Sequence, residues 1–272
     1  MRFSRQRDIS GRQVPLYDEN DMAGMRVAGE IAAAVLDHVA AFIEPGISTA
    51  ELDQICEGFM RDNGALPATI GFKGYRHASC ISLNNIVTHG IPSPTRVLKN
   101  GDIVNIDITP IVDGWHGDSS RTFLVGDVSS QARALVETAF QAMMAGIAAA
   151  HPGATLGDIG HAIETIASQN GYVTVRDFCG HGIGRNFHDA PQVLHYGQPK
   201  TGLQLEPGMT FTVEPILNAG LVDVRILADG WTTVTRDRSL SAQFEHTIAI
   251  TETGHEIFTL SKAQQQSVSS AA

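Results

Sequence analysis

The sequence predicts an α+β fold made of two similar halves that share one sheet, and two observations carry this prediction. A unit of two helices followed by a strand occurs twice, and corresponding residues lie 107 positions apart, as Pro45 and Pro152 do. The strands place apolar residues on one face and more polar residues on the other, which is typical of a sheet that helices cover on one side.

The first half begins with a helix, predicted over residues 25–43 from apolar residues at helical spacing. It ends at Glu44-Pro45-Gly46. Ser48 then opens a second helix, with Glu51 three residues later as its capping box. Asn63-Gly64 ends this helix, because glycine tolerates the left-handed conformation of a C-terminal cap.

The second half repeats this order of signals. A helix is predicted over about 130–150, and it ends at His151-Pro152-Gly153. Thr155 opens the next helix, with Asp158 as the partner in its capping box, and Asn170-Gly171 ends it. Because the order and the spacing both repeat, we predict a duplicated helix-helix-strand unit.

Each half then supplies a strand, over residues 102–109 and 209–214, and a third strand is predicted over 245–251. At the offset of the repeat, Asp107 corresponds to Glu214. No linker rich in Pro, Gly and Ser separates the halves. We therefore predict a single domain, and the predicted division of the chain is an N-terminal extension over 1–20, this domain over 21–262 and a polar tail over 263–272.

Composition excludes several classes of protein. The formal net charge of -10 disfavours nucleic-acid partners, which need clustered Lys and Arg. Three cysteines without a Cys-x-x-Cys pair disfavour a disulfide framework or a thiolate zinc site, and they favour a reducing, cytoplasmic location. The longest nearly apolar run, 142–150, is too short to cross a bilayer, so we expect no membrane partner. We also expect the protein to be a monomer.

Four carboxylates point to metal chemistry. Asp107, Glu214 and Glu245 each lie on the more polar face of a predicted strand, and Asp118 follows His116-Gly117. Any one of them reads most simply as a solvated acid on an exposed sheet. Burying several together is prohibitive unless cations neutralise them. Carboxylates with an imidazole suit Mn, Fe(II), Co or Zn.

Histidines in glycine-rich segments supply the imidazole candidates. His89 lies in Thr88-His89-Gly90-Ile91-Pro92, His181 lies between Gly180 and Gly182, and His188 follows. Glycines beside His181 allow the backbone to approach a bound group closely. A lone histidine is more often structural, and that interpretation holds for His38, His77 and His195.

Several ordered motifs together resemble one known family. The motifs are Cys80-Ile81-Ser82-Leu83-Asn84-Asn85, Thr88 to Pro92, Gly101 to Asp107, His116-Gly117-Asp118, Gly180 to Gly184, Gly208 to Pro215 and Ser241 to Thr247. The chain is thereby similar to type I methionine aminopeptidases from Met25 to about Leu260. This resemblance implies the pita-bread fold, with pseudo-twofold halves that share a curved, mainly antiparallel sheet.

The resemblance also implies a metal site and a reaction. Two divalent ions (Co, Mn, Fe or Zn) would be held by Asp107, Asp118, His181, Glu214 and Glu245, with Asp118 and Glu245 bridging. Glu214 would carry a proton to the leaving amine. His89 would lie near the scissile amide nitrogen and His188 near the carbonyl oxygen.

Further residues follow from the same resemblance. Substrate would contact Phe72, Tyr75, Cys80, His89, Phe187, His188 and Trp231. The carbonyl groups of Asn84, Ile86 and Ser241 would bind a monovalent cation. Thr69 and Phe72 stand where bacterial relatives often carry Cys and Tyr, so Thr69 bears on fine substrate preference. The substrate would be a nascent polypeptide or peptide with N-terminal methionine and a small second residue, met at the ribosome.

Three alternatives remain at this stage. An aminopeptidase P or prolidase shares these motifs, but those relatives generally carry a large extra N-terminal domain. An inactive pita-bread protein acting as a binding module would be expected to have lost metal ligands. A plain carboxylate-rich structural domain leaves the ordered motifs unexplained.

Overall fold

The computed structural model describes residues 2–261, so the predicted polar tail over 263–272 lies outside the described residues. The helices are α1 (Glu19–Ala40), α2 (Thr49–Asp62), α3 (Ser130–Ala148) and α4 (Leu156–Gln169), with one 3-10 turn at Phe72–Gly74. The strands are β1 (Arg2–Arg7), β2 (Gln13–Leu16), β3 (Leu66–Pro67), β4 (Ser79–Leu83), β5 (Ile86–Thr88), β6 (Ile103–Ile108), β7 (Pro110–Val112), β8 (Trp115–His116), β9 (Ser119–Leu124), β10 (Val173–Thr174), β11 (Gly180–Gly182), β12 (Asp189–Val193), β13 (Thr210–Val213), β14 (Ile216–Asn218), β15 (Val224–Ile226), β16 (Thr233–Thr235), β17 (Ser241–Gln243), β18 (Glu245–Ile250) and β19 (His255–Ile257).

One central antiparallel sheet joins the two halves. Its strand order is β12-β11-β13-β18-β9-β6-β4, and β19 pairs with β18 beside this path. The strands β6 and β9 of the first half therefore lie next to β18 and β13 of the second half. Helices cover one face of this sheet, which leaves the other face to line a site.

Each half packs its own helices on this sheet. In the first half, Leu36 of α1 and Leu52 of α2 pack with Ile106 of β6 in one apolar cluster. In the second half, Met143 of α3 packs with Phe211 of β13 in another. These clusters contain the apolar faces of the strands, so Asn105 and Asp107 of β6 project from the opposite face.

The duplicated unit is observed, as the sequence predicts. Helices α2 and α4 are both 14 residues long. Their N-caps, Ser48 and Thr155, both form the predicted capping boxes. Gly101 and Gly208, which precede the matching strands β6 and β13, both adopt positive φ, of 94° and 98°.

Helix α1 differs from its prediction at both ends. It begins at Glu19, after the N-cap Asp18, and ends at Ala40 rather than at Ile43. Beyond Ala40 the chain continues in short turns, in which the Ile43 amide donates to the Ala40 carbonyl over 3.3 Å. Apolar spacing extends through such a turn, which is why it does not mark the last helical residue.

The N-terminal segment packs against this domain as a hairpin. Strands β1 and β2 pair, and Val14 is fully buried in the cluster beneath α3. The Ser4 hydroxyl donates to Glu206 over 2.7 Å, and the Gln6 amide donates to the Gln204 carbonyl over 3.0 Å. Across residues 2–261, no helix combines the length and the apolar character that crossing a membrane requires.

Candidate active site

Adjacent strands bring two of the predicted carboxylates onto one row of the sheet. Asp107 of β6 and Glu245 of β18 both pair with Ser120 of β9, from opposite sides. Cys80 of β4 pairs with Asp107 and extends the same row. Because cross-strand partners project to the same face, all of these side chains point away from the helices.

The remaining predicted ligands converge on this row. The His181 Nε2 atom lies 3.6 Å from Asp118 Oδ2 and 3.6 Å from Glu214 Oε1. One side-chain ligand atom from each of Asp118, His181 and Glu245 can be chosen so that all lie within 4.8 Å of one another. The structure thus gathers five residues that are far apart in the sequence into one cluster.

Threonine hydroxyl groups hold this cluster in place. The Thr109 hydroxyl donates to Asp118 Oδ1 over 2.8 Å. The Thr212 hydroxyl donates to Glu214 Oε1 over 2.7 Å and accepts a hydrogen bond from the His181 amide. Sequence reasoning did not single out Thr109 or Thr212, because threonine in a strand is an ordinary β-former. Their positions on the polar faces were the signal that could have found them.

Burial and mutual repulsion act strongly on the ionisable groups of this cluster. Burial raises the pKa of Asp107 to about 7 and raises those of Asp118, Glu214 and Glu245 well above the usual range. Repulsion from neighbouring carboxylates adds to the rise for the last three. Burial lowers the pKa of His181 to about 4, so the imidazole is neutral at pH 7.

No lysine or arginine among residues 2–261 forms an ion pair with these carboxylates. Buried acids without a protein counter-ion are stable as anions only beside a bound cation. Carboxylate oxygens and one neutral imidazole are the donors that divalent transition metals accept. The donor set therefore fits a divalent metal ion.

The cluster forms one wall of a cavity of about 360 Å³, which also contains all the predicted substrate contacts. Those contacts are Phe72, Tyr75, Cys80, His89, Phe187, His188 and Trp231. The Tyr75 and Trp231 rings meet with centroids 4.9 Å apart. The cavity thus joins a group of aromatic side chains to the carboxylate cluster.

Two histidines lie between the aromatic group and the cluster. His188 stacks on Phe72 with ring centroids 5.0 Å apart, and its ring lies 4.1 Å from that of His181. His89 contacts the Trp231 ring and adopts a φ of 55°, a left-handed conformation that is uncommon for histidine and that recurs in active sites. Burial lowers the pKa of His89 to about 4 and that of His188 to about 3, so both rings are neutral at pH 7.

Thr69 lies in the cavity wall, and its hydroxyl donates to the His77 carbonyl over 2.7 Å. This bond closes the loop that carries Phe72 and Tyr75. Cavity-lining residues that sequence reasoning did not single out include Arg12, Gln192 and Phe178. Arg12 comes from the N-terminal hairpin, which no motif connected to the site.

The predicted monovalent-cation residues lie partly together. The Ser241 amide donates to the Asn84 carbonyl over 2.8 Å, so these two residues are in contact. Ile86 lies two residues further, in β5. The Ser241 hydroxyl is buried and has no hydrogen-bond partner among the described residues. Cation binding at this place stays a prediction.

Comparisons with known proteins agree on one family. A profile of metallopeptidase family M24 matches residues 23–252. Methionine aminopeptidase of Rickettsia prowazekii (strain Madrid E) is 50% identical over 249 residues, which cover 91% of this chain and 96% of that protein. Methionine aminopeptidase of Escherichia coli (strain K12) is 48% identical over 250 residues, which cover 92% of this chain and 95% of that protein.

Solved structures give the same result. The crystal structure of methionine aminopeptidase from Rickettsia prowazekii matches with a TM-score of 0.90 at 50% identity, over 91% of this chain and 100% of that chain. A prolidase from Pyrococcus furiosus matches with a TM-score of 0.71 at 23% identity, but the match covers only 65% of that chain, and this likeness shows the fold alone. The predicted pita-bread α+β fold is confirmed.

Proposed function

The chain belongs to metallopeptidase family M24, and we propose that it is a methionine aminopeptidase, which removes N-terminal methionine from nascent proteins and peptides. One observation carries this proposal. A buried cluster of four carboxylates and one neutral imidazole shares a cavity with a group of aromatic side chains. A metal-assisted hydrolase that accepts an apolar terminal residue needs both parts in one space.

Five residues would hold the metal. We assign these ligands as Asp107, Asp118, His181, Glu214 and Glu245, which would together hold two divalent ions. When bound, such ions polarise the scissile carbonyl and lower the pKa of water from 15.7 towards about 7. In its uncharged form, the free amino group of the substrate would bind at the same place, which accounts for cleavage at the chain terminus.

Glu214 is the proton carrier in this proposal. Its Oε1 accepts a hydrogen bond from the Thr212 hydroxyl over 2.7 Å, and the Gln243 amide lies 3.4 Å from its Oε2. These bonds set the plane of the carboxylate. As an anion beside the bound metal, Glu214 can take a proton from water and pass it to the leaving amine.

His188 and His89 act on the substrate. Because burial keeps both rings neutral at pH 7, each can donate one N–H without adding charge to the ground state. We assign His188 to the developing oxyanion and His89 to the scissile amide nitrogen. Donors placed where charge develops stabilise the transition state rather than the substrate.

The aromatic pocket would select methionine. Phe72, Tyr75, Phe187 and Trp231 offer ring surfaces, and Cys80 adds a sulfur. Such a surface suits an unbranched, polarisable thioether. Leucine branches at its γ carbon, so it fits such a pocket badly. Thr69 and Phe72 line the cavity together, and substitutions at Thr69 should alter the ranking of substrates more than the chemistry.

A small second residue, such as Gly, Ala or Ser, is expected because a larger one would have to pass the crowded rim of this pocket. Association with the ribosome and a monomeric state stay predictions.

Peptide hydrolysis tests the proposal. Purified protein is stripped with a chelator, loaded separately with Mn, Fe, Co and Zn, and assayed on Met-Ala-Ser, Leu-Ala-Ser and Leu-Pro-Ser. We expect kcat/KM for methionine to exceed that for leucine by about 10- to 200-fold, the range that pocket shape alone supports. Equal rates for methionine and leucine, or a preference for proline in second place, would contradict the proposal and favour the proline-directed relatives.

A further inference from the structure

The N-terminal hairpin places a positively charged side chain, that of Arg12, at the mouth of the active-site cavity. Arg12 lies between β1 and β2, and its side chain lines the same cavity as the metal cluster. Residue 12 lies outside the segment that the M24 profile matches, which begins at residue 23. The family's common core therefore accounts for the cluster but not for this arginine.

The hairpin holds Arg12 in a defined place. Asp8 is buried, and its Oδ1 accepts hydrogen bonds from the Arg12 amide over 2.9 Å and from the Ser10 amide over 2.9 Å. Val14, two residues after Arg12, is anchored in the core. A loop fixed on both sides of a residue limits where its side chain can reach, so Arg12 stays at the cavity mouth.

The guanidinium keeps donors that its own hairpin does not use. Its Nε donates to the Ser10 hydroxyl over 3.0 Å, and its Nη2 lies 3.5 Å from Asp8 Oδ2. Within residues 2–261 these are the hydrogen bond and the ion pair of its side chain, and 48% of the side chain is exposed. A guanidinium has five N–H donors in a planar fork, which leaves several of them free to bind a carboxylate.

The position of Arg12 relative to the cluster identifies the part of the substrate that it would meet. Strand β2, which begins directly after Arg12, packs against β12, and Asp189 and Gln192 of β12 line the cavity. Arg12 thus reaches the cavity along the wall formed by β12 and its neighbour β11, which carries His181. The pocket assigned to the first side chain includes Tyr75 and Trp231, whose rings are in contact and which lie outside both of these strands.

We propose that Arg12 is a specificity-determining residue that binds a carboxylate on the third residue of the peptide substrate. This inference rests on the proposed function, because it requires the first residue in the aromatic pocket and the first peptide bond at the metals. An extended chain advances about 3.3 Å per residue, so the third residue lies towards the cavity mouth. The carboxylate is either the C-terminus of a tripeptide or an acidic side chain of a longer peptide.

Other charges at the mouth do not replace Arg12. Lys73 also lines the cavity, but its ammonium lies over the Phe72 ring, 5.2 Å from the centroid, on the wall of the aromatic pocket. Asp177 and Asp189 also line the cavity, and their carboxylates repel anions. With a net charge of -10 on the chain, a bound carboxylate needs a local cation, and Arg12 supplies it on this wall.

The test compares matched peptides on metal-loaded wild type, Arg12→Ala and Arg12→Lys. One pair is Met-Ala-Ser with a free or an amidated C-terminus. The other is Met-Ala-Asp and Met-Ala-Asn, both amidated, which places the charge on a side chain. The control is Arg5→Ala, because Arg5 is exposed on β1 of the same hairpin and does not line the cavity.

We expect Arg12→Ala to lower the ratio of kcat/KM for charged over uncharged peptides by about 5-fold at low salt, the upper range for an exposed ion pair. The loss should lie in KM, because this contact is the same in the ground and transition states. Arg12→Lys should retain part of the preference for charged peptides, since lysine keeps the positive charge but lacks the planar donor geometry of the guanidinium. Arg5→Ala should match wild type.

Each other outcome overturns the inference. An unchanged ratio in Arg12→Ala, with normal cleavage of the amidated peptides, would refute the role of Arg12 and leave the proposed function intact. If Arg5→Ala lowered the ratio of kcat/KM for charged over uncharged peptides as much as Arg12→Ala does, the cause would be the net charge of the hairpin and not a contact of Arg12. If wild type cleaves none of these peptides, the proposed function fails, and the inference fails with it.

Discussion

Asp107 and Glu245 have the same cross-strand neighbour, Ser120, on opposite sides of β9. Strands in a sheet lie about 4.8 Å apart, so the two carboxylates rise from backbones about 9–10 Å apart, with only a serine side chain between them. Ser120 is buried. The small size of this side chain therefore leaves the space over the row in which the two carboxylates can approach a shared cation.

This relationship predicts that bulk at position 120 will exclude metal. Ser120→Leu fills the space between Asp107 and Glu245, and we expect it to lower the metal content sharply. Ser120→Ala is the matched control, because it removes the hydroxyl without adding volume, and it should bind metal nearly as wild type does. Metal analysis after dialysis decides between them. Full occupancy in Ser120→Leu would show that the cation does not lie over this row.

Removal of the metal should abolish activity and lower stability. Four buried carboxylates repel one another without a cation, and a ligand that binds only the native state stabilises it by mass action. The gain is about 2.7 kcal/mol at a hundredfold excess over the dissociation constant. Thermal unfolding of chelated and reloaded protein measures this difference. Peptidase activity that survives complete chelation would refute the metal-dependent mechanism.

Three histidine variants separate metal binding from catalysis. His181→Ala should lose metal, because its Nε2 lies 3.6 Å from both Asp118 and Glu214. His188→Ala and His89→Ala should keep the metal and lose turnover. For His188, the expected loss in kcat is on the order of 10²- to 10³-fold, as for an oxyanion donor. Metal analysis beside the kinetics tests the assignment, which is reversed if His188→Ala loses metal and His181→Ala retains it.

Glu214→Gln tests the proton carrier. The substitution keeps an oxygen ligand and the approximate shape of the side chain but removes the proton acceptor. We expect metal to remain and kcat to fall by about 10²- to 10⁴-fold, the contribution typical of general acid–base catalysis. Single-turnover rates on Met-Ala-Ser measure the effect. A kcat close to wild type would assign proton transfer to another group.

His195 should make the protein sensitive to acid. Its ring is fully buried, neither nitrogen has a partner among the described residues, and burial lowers its pKa to about 3. In the unfolded chain a histidine has a pKa of about 6.5. Below that pH the unfolded chain binds a proton at His195 that the folded protein does not bind, so the free energy of unfolding falls as the pH drops towards 3. From this residue alone, the free energy of unfolding should be about 2 kcal/mol lower at pH 5 than at pH 7.5.

His195→Leu should reduce that difference, and urea unfolding of the variant and wild type at both pH values measures it. The control is His161→Leu, because His161 is exposed on α4. Any contribution of the metal site to the pH dependence is common to all three proteins. An unchanged pH dependence in His195→Leu would show that this ring does not oppose acid unfolding.

Local rules were sufficient for the repeated framework of the fold. Capping boxes and glycine C-caps act within four residues, so Ser48 and Thr155 marked two helix starts that the structure reproduces. Strand alternation also separated the helix-covered face of β6 from the face that carries Asp107. The predicted end of α1 at Ile43 was wrong, because apolar spacing continues through the turn after Ala40, the last helical residue.

The ordered motifs also named the residues of the cluster, but only by resemblance to a family. What the tertiary structure alone decided is how distant residues meet. Strand register places Ser120 between two carboxylates, and it brings the hydroxyls of Thr109 and Thr212 to Asp118 and Glu214. The docking of the N-terminal hairpin places Arg12 in the cavity wall. Register depends on packing between residues more than a hundred positions apart, and no local pattern in a single sequence records such contacts.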